Sequence, residues 1–112
     1  MGTPIRNTQQ TILDQVYGLS DVTLMSFSDM ASLGPWLNQF ENDEQIVAMH
    51  LVLNELDVRE MAHEAGRTGR IRRGESDDEL DRTAIFFINE SERVRETCRP
   101  LLETMLDMQA LS

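Results

Sequence analysis

Lysine is absent from this chain of 112 residues, and all ten basic residues are arginine. The surface therefore carries planar guanidinium forks, suited to bidentate contacts with carboxylates, and no flexible ammonium charges. The same absence excludes a P-loop, which needs its lysine, and no glycine spacing fits the dinucleotide fingerprint. Cysteine is almost absent as well. A lone Cys98 cannot close an internal disulfide and suits a reducing cytoplasm, where a buried thiol acts as a small hydrophobe. No run approaches the ~20 apolar residues that cross a bilayer. Met1-Gly2-Thr3-Pro4-Ile5-Arg6-Asn7 lacks the apolar core of a cleaved export signal, so neither a membrane partner nor export is expected.

Positive charge is scarce and unevenly placed. The net charge is −10; residues 1–66 carry −8, residues 67–73 carry +4 and residues 74–112 carry −6. An acidic body repels phosphate backbones, which disfavours nucleic acid as a partner unless the arginine cluster acts locally. The length fits a single domain spanning 1–112, burying roughly 60–70% of its unfolded surface.

What is present is helical periodicity. Thr3-Pro4 reads as a helix start, with Ile5, Thr8, Ile12 and Val16 at helical spacing up to a stop at Gly18. Ser20 or Asp21 begins a second helix running to Leu33, where Gly34-Pro35 is expected to break it. A short turn at Pro35–Phe40 then plants Trp36 and Phe40 in the core. Asn42 with Asp43 and Glu44 caps a helix expected to end at Gly66. This helix has two apolar stripes, Ile46, Met49, Leu53, Leu56 and Val47, Leu51, Val58, Ala62, Ala65, so it should be central and contacted from two sides. Residues 67–75 read as a glycine-punctuated basic loop carrying Arg67, Arg70, Arg72 and Arg73, a latch for carboxylates or a solvated connection.

Ser76 and Glu79 match a capping box opening the last helix. There Leu80, Ala84, Phe87, Ser91, Val94, Cys98, Leu101, Met105 and Met108 follow at alternating steps of four and three. That spacing makes a seam for a partner helix, from the same bundle or a second copy. Pro100 predicts a kink. Because Ile85, Phe86, Phe87 and Ile88 cover most of the helix circumference, a two-fold homodimer is the first expectation. Leu80, Ala84, Phe87, Ile88, Val94, Leu101, Met105 and Met108 are the expected dimer or partner interface, the methionine-rich end facing an external partner.

No set of residues names a reaction. Glu60-x-x-His63 has the spacing of a di-iron ligand pair, but His50 has Val47, not an acid, three residues before it, so the set is incomplete. Neither histidine has an evident nucleophile. Val58–Gly66 resembles the first helix and turn of a helix-turn-helix, yet the following residues carry Arg67, Arg72 and Glu75 where a recognition helix needs apolar positions. The expectation is an all-α bundle of four or five helices with a long C-terminal helix, not an enzyme and without a cofactor or metal. It would bind another protein, as an anti-activator masking a transcription regulator or, alternatively, as a secretion or assembly chaperone; a DNA-binding regulator is the third reading.

Overall fold

The computed structural model describes residues 8–75 and 77–111, and among them the chain is entirely helical apart from turns. Five helices follow in order: α1 Thr8–Tyr17, α2 Asp21–Ser26, α3 Met30–Leu37, α4 Asn42–Arg72 and α5 Asp78–Ala110. The long helices α4 and α5 pack as a hairpin; α1 lies along α4 and α2 lies against α5. The expected start at Thr3-Pro4 and the expected cap at Ser76 fall outside the described residues.

The helix starts follow local chemistry. Ser20 Oγ accepts from the Thr23 N–H at 3.1 Å and Asp29 from the Ala31 N–H at 2.9 Å, each satisfying an orphan donor of a first turn. At α4 the cap falls one residue earlier than expected, on Glu41, whose N–H donates to Glu44 at 3.0 Å. Asp77 caps α5 by accepting from the Leu80 N–H at 3.0 Å.

Two expected breaks are not breaks. The segment read as one helix to Leu33 is two, separated by the Phe27–Asp29 turn, and Gly34-Pro35 lies inside α3. Aromatic packing holds that helix: the Trp36 ring sits 5.0 Å from Phe27 and 5.2 Å from Phe40. Gln45 Nε2, on α4, donates to the Leu37 and Phe40 carbonyls at 3.1 Å each, closing the end of α3. Nor does α4 stop at Gly66, and residues 67–72 are its last turns rather than a loop. The stop comes at Gly74, at φ 69°, where the Glu75 N–H returns to Arg70 O at 2.9 Å and the Gly74 N–H to Ile71 O at 3.1 Å. This is a Schellman motif, and it needs the left-handed residue that glycine supplies.

The core runs along the hairpin. Ile12 and Val16 of α1, Leu24 of α2, Leu33 of α3, Ala48, Met49, Val52 and Leu56 of α4, and Phe87, Val94 and Cys98 of α5 are all buried. Polar anchors set the corners. Arg59 donates to Glu55 at 2.9 Å, to Asp21 at 3.0 Å and to the Val16 carbonyl at 3.4 Å, so one guanidinium ties the α1–α2 corner to α4. Thr97 Oγ1 donates to the Ser28 carbonyl at 2.8 Å and fixes the α2–α3 turn on α5.

The seam on α5 is therefore used within the chain. Ala84, Phe87 and Val94, expected at an interface between copies, face the molecule's own core at 3% exposure or less. Ile88 and Leu101 are half-buried. The periodicity marks a packing face, but spacing cannot say which chain supplies the opposing helix.

Candidate functional site

Beyond α1 and α2, the α4–α5 hairpin continues as a two-helix arm with a polar seam. Arg70 donates to Asp81 through Nε at 3.1 Å and NH2 at 2.6 Å, Arg67 pairs with Glu64 at 3.4 Å and Arg73 with Glu75 at 3.1 Å. The four arginines thus do not form one basic latch: three are engaged in ion pairs, and Arg72 is exposed. Val58–Gly66 lies in mid-helix with no turn, which removes the helix-turn-helix geometry.

Glu60 and His63 also have other duties. Glu60 accepts from Arg95 through both oxygens at 2.8 Å, and Asp57 accepts from the same guanidinium at 2.6 Å. His63 Nε2 lies 3.4 Å from Asp21, and its ring rests on Phe87 with centroids 4.6 Å apart. The i, i+3 spacing serves the contact between helices, and among the described residues no group of three or more His, Cys, Asp or Glu side chains could hold a metal. Arg95 is 6% exposed; its bond to Glu60 holds the guanidinium above its ordinary range against the opposing effect of burial. Burial alone pushes the Cys98 thiol up to about 12, which makes it a poor nucleophile.

Concave faces among the described residues include two with apolar floors. The first is a groove of about 540 Å³ between α2 and α5, floored by Val22, Met25, Phe86 and Phe87 and edged by Asp21, Ser26, Thr83 and Glu90. Phe86 is 62% exposed and Val22 is 81% exposed. Phe86 lies off the seam and is not among the expected interface positions, although it is one of the four residues whose breadth points to a dimer; Val22 sits on a six-residue helix whose placement depends on Arg59 and Thr97. Leu80, which was expected there, is 50% exposed, and Ile85 is 45% exposed.

The second face lies at the opposite end of the hairpin. Ile46 from the start of α4 and Leu101, Met105 and Met108 from the end of α5 line a cleft of about 530 Å³, with Asn42, Asp43, Gln45, Thr104 and Gln109 around it. Gln109 Nε2 donates to Asp43 at 3.3 Å across this mouth. Asp43 is the one charged residue lining this mouth; Glu41, Glu44, Glu103 and Asp107 lie near it in sequence, and Arg99 precedes Pro100 on α5. Here the expected positions Leu101, Met105 and Met108 do come together.

No helix is long and apolar enough to cross a membrane among the described residues. The chain matches no protein-family model, no curated protein and no solved structure.

Proposed function

We propose that this chain is a non-enzymatic, cytoplasmic protein-binding regulator that holds a basic amphipathic helix of its partner in the acidic cleft. In this reading it is an anti-activator, masking such a helix on a transcription regulator. The observation that supports it is the pairing of a methionine-lined floor with Asp43 at its mouth and no base among the lining residues. Met105 and Met108 offer an adaptable apolar surface for leucine-like side chains. Asp43 at the mouth, with Glu41, Glu44, Glu103 and Asp107 on the neighbouring stretches of chain, gives charge that favours arginine and lysine on the partner. A helix that binds DNA carries that basic face to meet phosphates, so an acidic cleft competes for the same surface. The single buried thiol of Cys98 fits a reducing compartment.

Fluorescence anisotropy tests this with two labelled synthetic helices sharing a leucine face, one with arginines on the other face and one with glutamates. The arginine helix should bind and weaken as salt is raised; Met105→Glu and Met108→Glu should each weaken it at least tenfold. Equal binding of the glutamate helix, or no effect of both substitutions, would overturn the proposal.

A further inference from the structure

The groove beside Phe86 carries a different charge pattern from the acidic cleft. On α5, Glu79, Arg82, Phe86, Glu90 and Arg93 follow at steps of three, four, four and three, which places all five on one helix face. The pattern reads the same in reverse with its signs exchanged. Arg82 stands four residues before Phe86 and Glu90 four after; Glu79 stands seven before and Arg93 seven after. Within the chain these charges are little used. Glu79 and Arg82 are exposed with no ion pair among the described residues, and Arg93 is 74% exposed with only a 3.6 Å approach to Glu90.

We propose that a second copy of this chain occupies the groove, α5 lying antiparallel to the partner's α5 about a two-fold axis through Phe86. The self-complementary charge order selects this occupant. A two-fold interface must set the same patch against itself, and here that operation brings Arg82 opposite the partner's Glu90 and Glu79 opposite the partner's Arg93. Both pairs occur twice. Phe86 meets the partner's Phe86 at the axis, and the apolar floor contributed by Val22 and Met25 receives the ring edges. Apolar burial supplies affinity while the charges fix antiparallel direction and register, since a parallel alignment or a shift of one turn sets like charges together. This contact does not involve the cleft: Met105 lies nineteen residues beyond Phe86, about 28 Å along the helix.

Light scattering with sedimentation velocity tests the contact on the full chain. Wild type should behave as twice 12.8 kDa at tens of micromolar. Arg82→Glu, on the exposed surface, and Glu90→Arg, at the half-buried edge of the groove, should each keep the wild-type helical circular dichroism and weaken self-association at least tenfold. An equimolar mixture of the two variants should recover the dimer, because each then faces the opposite charge at both pairs. A wild-type monomer throughout that range would overturn the proposal. So would variants that dimerise like wild type, or a mixture that stays monomeric, as expected if the groove takes an unrelated apolar segment.

Discussion

Arg95 shows how a charge is kept inside the hairpin. Its side chain is 8% exposed, while Glu60 is 22% and Asp57 62% exposed, so the pair is buried at the guanidinium and open at one carboxylate. Removing one member of a fully buried pair costs about 3–5 kcal/mol; with Asp57 in water, Arg95→Ala should cost about 2 kcal/mol. Urea midpoints measure this, and an unchanged midpoint would show that the ion pairs add nothing. Cys98 makes a prediction of the opposite kind. Its thiol stands at about 12 against an ordinary value of 9.0. Below pH 9 both folded and unfolded chains hold the proton and the contribution is whole. Between pH 9 and 12 the unfolded chain loses it first, so stability falls by up to about 1.4 kcal/mol per pH unit. Cys98→Ala should remove that slope from unfolding curves taken between pH 8 and 10.5; parallel curves for the two proteins would count against it.

At the scale of elements, the course of α4 beyond Gly66 is instructive. Gly66 and Gly69 each oppose helix by about 1 kcal/mol, and from that alone a basic loop was the natural reading. Tertiary contact outweighs them, because Arg70 reaches Asp81 on α5 and Arg70 and Arg72 complement the negative end of the helix dipole. The two long helices, the apolar seam of α5 and its methionine-rich end were legible because periodicity and end charges are local. The Val22–Phe86 groove was not, since it depends on where α2 lands, and that is set by Arg59 and Thr97 contacts across 38 and 69 positions of chain. The arm is held by ion pairs more than by apolar packing, so it should be the least stable part of α4. Arg70→Ala should speed amide hydrogen exchange at residues 64–72 and leave 48–56 protected; uniform protection along α4 in the variant would show that Arg70 does not hold the arm. Gly74→Ala should cost about 1 kcal/mol through its left-handed backbone.

For the whole molecule, the two proposed docking faces have a consequence for shape. The protein measures 55 × 39 × 22 Å with a radius of gyration of 16.8 Å, and α5, at 33 residues, spans about 50 Å of that length. Phe86 lies near one end of α5 and the acidic cleft near the other. An antiparallel contact through Phe86 would therefore overlap about the first half of each helix and send their C-terminal ends outward, giving a particle about 73 Å long from helix length alone. The two clefts would open at opposite ends, too far apart to grip one short helix together, so two partner helices would bind independently and without cooperativity. Small-angle scattering separates this arrangement from a compact one: the maximum dimension should rise to about 75 Å or more for wild type and return towards 55 Å for Arg82→Glu. A dimer that stays near 55 Å would have its helices side by side along their full length, which moves the two-fold axis away from Phe86 and towards the middle of α5, and the division between a self-association face and a partner face would have to be abandoned.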